Sequence, residues 1–407
     1  VRICFPLPPI ERYSPTSGGA IATCVMQVAR GLVHRGHEVT ILADNHGDKP
    51  YDVGRFIPIR CPMGDDLSLW RRAVSKLRYR IHRYDWPRQD VYAQAVRHAI
   101  RRFDQPPHVI MIENDMHTPA MLKHTFPDTR QVLWLHNEQH TRHQHPEQLL
   151  AAVDRIVTNS DYIRRFTQER FGLTADRFSV VHNGVDLEAF TPRDNFDKPR
   201  RPVKVLALGR IDPNKGVDLA VDAVAALRAE GMPVELTVVG GRWFFENGRK
   251  LADPYFDTLR QRMKEAHADY LGHLPRERVP AVVREHDIAC VLSRSQEPFG
   301  LVTLEAMASG CAVLASDRGG LPEACGGAAR VVDVDHLSSV IDAMRELVQN
   351  PDRLAVAKHA SLERARLADW SHTAATMENA LAQASGAIIP NPCDAPGGRA
   401  YGNTSPA

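Results

Sequence analysis

The 407-residue sequence contains no run of eighteen apolar residues, so no segment of it reads as a membrane-spanning helix. An excess of charge of one sign is also missing. Lys+Arg (51) and Asp+Glu (49) nearly cancel to a net charge of +2, which removes the general electrostatic reason to invoke nucleic acid. The seven cysteines (Cys4, Cys24, Cys61, Cys290, Cys311, Cys325 and Cys393) are scattered, odd in number and without a CxxC pair. That argues against a disulfide framework or a zinc knuckle and for a reducing compartment. Neither GxGxxG nor GxxxxGK[ST] occurs, which disfavours an NAD-linked oxidoreductase and a Walker-type nucleotide site. No charged n-region precedes a long apolar stretch, so no signal peptide is visible and a cytoplasmic protein is the expectation. In that setting the Asn403-Thr404-Ser405 sequon carries no weight.

What is present is the balance of a folded protein, with 43% hydrophobic and 25% charged residues over a length that favours two or three domains. Short apolar runs alternate with amphipathic helical patterns, the signature of an α/β protein with parallel sheets. Arg2–Leu7 reads as a first strand, Gly18–Arg35 as a helix and Glu38–Leu42 as the second strand. Segments 109–112, 131–135 and 155–158 continue the series. A polar, proline-containing stretch, Thr191–Pro202, is the expected linker after a domain spanning 1–190. A second domain over 203–370 is predicted to hold strands at 203–208, 234–239, 269–271, 288–292 and 312–315. A last helix near 371–384 precedes a Pro/Gly-rich stretch, 385–407, that reads as a mobile tail.

Three loops that follow predicted strands carry chemistry. In Ser293–Gly310, SRSQEPFGLVTLEAMASG, a helix begins near Phe299–Gly300, and the N–H groups of Phe299, Gly300 and Leu301 would suit a phosphate. Glu297 precedes that helix and Glu305 lies within it; carboxylates beside an anion seat need hydrogen-bond donors, and sugar hydroxyls are donors. The plain alternative is a loop charge and a solvated helix residue. In Leu208–Gly216, LGRIDPNKG, Arg210 and Lys215 share one loop where both charges could meet a diphosphate, or stand as two surface bases. In Ser17–Ala20, SGGA, Gly18 and Gly19 allow close backbone approach, as an ordinary tight turn also would.

The order GGA…H…NGVD…GRIDPNKG…EPFGLVTLE resembles the family-4 retaining glycosyltransferases of the GT-B fold, over about residues 3–380. Glu297 and Glu305 match that family's E-x7-E signature, and Arg210 with Lys215 match its phosphate-binding pair. Within the family, PPIERYSPTSGGAI, IENDMHTP and GGRWFFENGRKLADPY look most like bacterial enzymes of lipopolysaccharide, exopolysaccharide or spore-coat synthesis. The resemblance implies two Rossmann-like domains facing across a cleft, with the last helix returning to the first domain. It also implies roles. Glu297 meets the donor-sugar hydroxyls and Glu305 the ribose. Arg210, Lys215 and the N–H groups of Gly18, Gly19, Phe299, Gly300 and Leu301 meet the diphosphate. His136 faces the reacting sugar, residues 182–186 lead into the interdomain hinge, and the backbone around Leu274 touches the base. Retention in the family is attributed to a front-face reaction, which makes Glu297 a positioning residue; a double displacement through Glu297 is the alternative.

The chain reads as lacking a DxD placed after a strand, and two cations with a helix N-terminus can offset the leaving diphosphate, so metal independence and no cofactor are expected. The run HNEQH (136–140), with His143 and His145 beyond it, mimics the zinc motif HExxH, but Asn137 separates His136 from Glu138 and no metal site is expected. Between Trp70 and Phe103 there are ten Lys/Arg against Asp85 and Asp90. That basic segment, 70–102, reads either as contact with anionic lipid or a lipid-linked acceptor at the inner membrane, or as a solvated helical face. The expected partners are a UDP- or GDP-sugar donor and a glycan or lipid-linked acceptor. The rival functions are a nucleotide-sugar 2-epimerase of the same architecture and a non-catalytic partner subunit.

Overall fold

The computed structural model describes residues 1–16, 19–61, 86–140, 146–198, 200–241, 245–246, 249–250 and 253–385. Gly18, residues 70–85 of the basic segment with Arg71, Arg72, Lys76, Arg78, Arg80 and Arg83, His143, His145, part of the 240–255 stretch and residues 386–407 lie outside the described residues. The chain divides into two compact units, one comprising Val1–Asn159 and Ile163–Val181 with the last helix from Ser371 on, the other Ser160–Tyr162 and His182–Trp370.

The first unit is a seven-stranded parallel sheet: β1 (Arg2–Pro6), β2 (Glu38–Ala43), β3 (Arg55–Pro58), β4 (Val109–Glu113), β5 (Arg130–Leu135), β6 (Arg155–Thr158) and β7 (Phe178–Val180), in the order β3-β2-β1-β4-β5-β6-β7. The chain reverses direction across the sheet between β1 and β4, the place where doubly wound sheets gather their functional loops. Helix Ala20–His34 begins at Gly19, buries Val25, Val28 and Leu32 on one face and gives way at Gly36, whose φ of +86° suits glycine. The last helix, Trp370–Ser385, is tied to this unit by Glu378, which accepts from the guanidinium of Arg35 and faces Nε2 of His37 at 2.7 Å.

The second unit repeats the topology in β8 (Val203–Leu208), β9 (Val234–Val239), β12 (Asp269–Gly272), β13 (Ile288–Val291), β14 (Ala312–Ser316) and β15 (Arg330–Val332), ordered β12-β9-β8-β13-β14-β15. A short antiparallel pair, β10 (Phe245–Glu246) and β11 (Arg249–Lys250), stands apart from it. Strand periodicity explains the two cores. Val203, Val205 and Ala207 of β8 join one buried cluster with Leu236, Val238, Ile288 and Leu314, while Leu206 joins another with Ala289, Val313, Phe299 and Leu304. Each fully buried Val or Leu contributes about 1.5–3 kcal/mol, so both faces of this sheet are strongly held.

The boundary between the units falls at Val181/His182, ahead of Thr191–Pro202. That stretch packs on the second unit because Arg193 and Arg200 reach the buried Asp287, at 3.4 and 2.8 Å. The structure also adds strands at the edges: β3, β7 and β15 are short and carry three or four residues each, too few for a clear period. Asp333-Val334-Asp335 comes directly after β15, so a DxD does follow a strand in this chain. Its carboxylates serve the turn before helix Leu337–Gln349: Asp333 accepts from the Asp335 N–H at 2.9 Å and lies 2.7 Å from Nδ1 of His336, and Asp335 accepts from Arg318 at 2.6 Å.

No described helix is long and apolar enough to cross a membrane.

Candidate active site

In the second unit the direction reversal lies between β8 and β13, and the loops leaving these two neighbouring strands carry Lys215 and Glu297. After β8, Asp212 accepts from the Asn214 N–H at 2.9 Å and starts the 3₁₀ turn Pro213–Lys215. Gly216 then takes φ +64°, and a Cβ there would stand 2.0 Å from the carbonyl oxygen of Leu292. Only glycine lets this turn lie against the end of β13. The consequence is a contact between loops 82 residues apart: the Lys215 ammonium donates to Oε1 of Glu297, which also accepts from the Ser293 hydroxyl. Gly216→Ala is therefore expected to lower both stability and nucleotide affinity, since a side chain at that position forces the Lys215 turn off β13. Thermal denaturation with and without nucleotide checks it.

The Glu297 backbone is fixed from the other side. A Cβ at Gly319 would lie 2.2 Å from the Glu297 carbonyl oxygen, and the Gly320 N–H donates to that oxygen at 2.6 Å. The EPFG loop thus rests on the Gly319-Gly320 turn that follows β14. Gly300 caps helix Leu301–Ala308 at φ +93°, with Leu321 filling the space where its side chain would be. Leu301 is the first helical residue, and the Phe299 ring is buried in the core, stacked on His182 at 5.6 Å.

Glu305, in the middle of that helix, is only 3% exposed. Its Oε1 accepts from the Arg276 guanidinium, and its Oε2 is buried with no partner among the described residues. Arg210 sits against Asp212 at 3.6 Å, in the same loop as Lys215. Leu274 is half-buried against the core beneath the loop after β12.

His136 and Gly19 belong to the first unit. His136 follows β5, with Nε2 2.7 Å from Oε2 of Glu113 at the end of β4 and its ring 4.4 Å from that of Trp134. Burial lowers the His136 imidazole to about 3, and burial first, then the charge of Glu11, pushes the Glu113 carboxyl well above its usual range. Oε1 of Glu113 has no partner among the described residues, so a proton there would be an orphaned buried donor; it belongs on Oε2, donating to Nε2 of His136. That leaves the ring neutral with its hydrogen on Nδ1. The expected outcome is a pH profile of activity with no limb from His136 between pH 5 and 8. Glu113→Gln, which can also donate to Nε2, should retain more activity than Glu113→Ala. Gly19 starts helix Ala20–His34, where its N–H and that of Ala22 donate to Oε2 of Glu11 at 3.1 and 3.4 Å.

The HNEQH run does not form a helix: Glu138 lies 3.0 Å from Nε2 of its own neighbour His140, while the His136 ring faces Glu113. Among the described residues no three His, Cys, Asp or Glu side chains are grouped to hold a metal ion. Four contacts were not read from sequence: Arg276 on Glu305, Ser293 on Glu297, the Gly319-Gly320 support and Glu113 on His136. Only the glycine pair, following a strand, offered a local signal.

This geometry meets a family pattern. Residues 18–189 match the model described as Glycosyltransferase Family 4, and residues 190–364 the model described as Glycosyl transferases group 1. The chain belongs to these glycosyltransferases. Among its glycosyltransferase relatives is a D-inositol 3-phosphate glycosyltransferase of Nocardia farcinica, 33% identical over 239 residues, which are 56% of this chain and 52% of the relative. The match thus spans about half that relative's length. A lipopolysaccharide 1,2-N-acetylglucosaminetransferase of Salmonella typhimurium is 28% identical over 79% of this chain and 82% of its own. Anabaena HepE, solved in complex with UDP and glucose, superposes with a TM-score of 0.67 at 17% identity, covering 94% of this chain and 99% of its own. The two parallel-sheet units are those of the GT-B fold.

Proposed function

We propose that this glycosyltransferase moves a hexose or N-acetylhexosamine from a UDP- or GDP-sugar to a glycan or lipid-linked acceptor, with retention, in bacterial surface polysaccharide synthesis. The observation that carries the reading is the pairing of Lys215 with Glu297 at the strand ends of the group 1 region, beside a helix that holds Glu305 with one buried acceptor oxygen open. A carboxylate oxygen accepts hydrogen bonds and cannot donate, so Glu305 calls for a hydroxyl such as that of a ribose. Lys215 and Arg210 supply positive charge where a diphosphate departs, and the N–H groups of Phe299–Leu301 add donors. The lipopolysaccharide transferase and the HepE complex with UDP support the substrate class.

In this reading Lys215 leaves Glu297 for the diphosphate when the donor binds, and Glu297 turns to the sugar hydroxyls. The front-face course lets the departing phosphate take the acceptor proton, with Glu297 orienting the sugar. His136, neutral and with hydrogen on Nδ1, offers a donor to the reacting sugar. The basic segment 70–102 is the part of the chain we assign to anionic lipid or a lipid-diphosphate acceptor.

The test is product analysis in EDTA with UDP- and GDP-sugars and a panel of glycosyl-lipid acceptors. An α-linked product from an α-configured donor is expected, formed without added metal. A β-linked product would contradict retention, and activity lost in EDTA and restored by magnesium would contradict metal independence. Conversion of UDP-N-acetylglucosamine without acceptor would favour the epimerase.

A further inference from the structure

Glu305 presents an unusual account of hydrogen bonds. Its side chain is 4% exposed, which desolvates a carboxylate at considerable cost unless donors replace water. One oxygen has its donor in Arg276, from the 3₁₀ turn Arg276–Arg278 in the loop after β12. The other has none.

Arg276 is itself held on a second side. Its guanidinium carbon lies 5.4 Å from the ring centroid of Phe190, a residue 3% exposed, and Pro275 precedes it in the chain. A planar guanidinium fixed by an aromatic ring and a carboxylate has little rotational freedom left, so the orientation of the carboxylate is set as well. Yet 43% of the Arg276 side chain remains exposed, so this cation is not a core residue placed for stability alone.

We propose that Arg276 is a positioning residue for the nucleotide: by occupying Oε1 of Glu305 it leaves Oε2 as the single oriented acceptor, and so makes the site select a ribose over a deoxyribose. The inference rests on the donor reading above, in which Glu305 meets the ribose. Arg276 acts through Glu305 and touches neither the diphosphate nor the bond that breaks. A charged acceptor held in place for one hydroxyl discriminates against an analogue lacking it by about tenfold or more. A carboxylate released to rotate, or to meet its needs with water, discriminates much less.

The experiment is a calorimetric titration of wild type, Arg276→Met and Arg276→Lys with UDP or GDP, whichever binds, and with its 2′-deoxy and 3′-deoxy forms. Circular dichroism and thermal denaturation confirm that each variant is folded. Wild type should prefer the ribonucleotide over at least one deoxy form by about tenfold. Arg276→Met should weaken the ribonucleotide by about the same factor and leave that deoxy form unchanged, so the ratio falls close to one. Arg276→Lys, which keeps charge without the planar fork, should lie between. In turnover, the donor KM should rise by about tenfold while kcat stays within about threefold.

Equal weakening of ribo and deoxy forms would overturn the proposal, because Arg276 would then touch the nucleotide directly. An unchanged ratio in Arg276→Met would overturn it as well while leaving the donor reading intact. A wild type that binds UDP or GDP without regard to the ribose hydroxyls removes Glu305 from the ribose and Arg276 with it. Binding of neither diphosphate overturns the donor reading itself, and this inference falls with it.

Discussion

Replacing Lys215 by alanine is expected to lower kcat/KM by about 10²–10³-fold, the effect of removing one preorganised charge from the place where negative charge develops. The side chain does two things. It neutralises Glu297, which is 8% exposed and whose Oε1 has the Ser293 hydroxyl as its other donor among the described residues. With donor bound it is assigned to the diphosphate. Losing it leaves a buried carboxylate uncompensated where the sugar phosphate must enter, so binding and turnover both suffer. Lys215→Arg keeps the charge on a larger, planar group and should recover part of the loss. Lys264→Ala, an exposed lysine of the same unit, is the matched control and should change neither. Steady-state kinetics and nucleotide-dependent thermal shifts read both effects; a Lys215→Ala variant indistinguishable from wild type would remove this residue from the donor site.

The largest expected effect on stability comes from Asp287. Its carboxylate is 1% exposed and accepts from Lys358 at 2.7 Å, Arg200 at 2.8 Å, Arg193 at 3.4 Å and the Lys204 N–H at 3.0 Å. One residue therefore joins the segment after the unit boundary, the start of β8, the start of β13 and helix Pro351–Arg366. Asp287→Ala strands the Lys358 ammonium, whose side chain is 2% exposed, and should cost about 3–5 kcal/mol. In a unit of this size that lowers the melting temperature by roughly 10 °C. The pH dependence has a definite sign. Burial alone would raise the Asp287 carboxyl, but Lys358 and the Arg200 hydrogen bond outweigh it and hold it below its usual value. A lowered carboxylate contributes stability that is present above its unfolded value, about pH 4, and is lost as the pH falls through the lower folded value. Wild type should lose stability on acidification below about pH 4, and Asp287→Ala should lose less. Urea titrations across pH 2.5–7 decide it; a change under about 1 kcal/mol at neutral pH would mean the network is ornamental.

The central strands of both sheets were legible because strands such as Val203–Leu208 and Val234–Val239 are buried on both faces and read as continuous apolar runs. Edge strands were not. Arg330–Val332 has two exposed residues of three, and missing it also hid the Asp333-Val334-Asp335 turn. In the site, Glu297, Glu305, Arg210 and Lys215 stood out as charges in loops and a helix start after strands, which is a local pattern. Their partners are another matter. Arg276 reaches Glu305 across 29 residues and Glu113 reaches His136 across 23, contacts set by which strands lie side by side. Nothing in the run LPRER distinguishes Arg276 from Arg278; the fold does. The Gly216 and Gly319 positions are similar, since each glycine answers to a carbonyl in a distant loop.

The second unit is proposed to seat a nucleoside diphosphate through Lys215 and Glu305. Isothermal titration of the ligand-free chain with UDP, GDP and their monophosphates addresses it directly. One diphosphate should bind at a single site, at least tenfold more tightly than its monophosphate, because the additional phosphate meets a charge-assisted donor. Equal binding of the two forms, or no binding of either diphosphate, would contradict it.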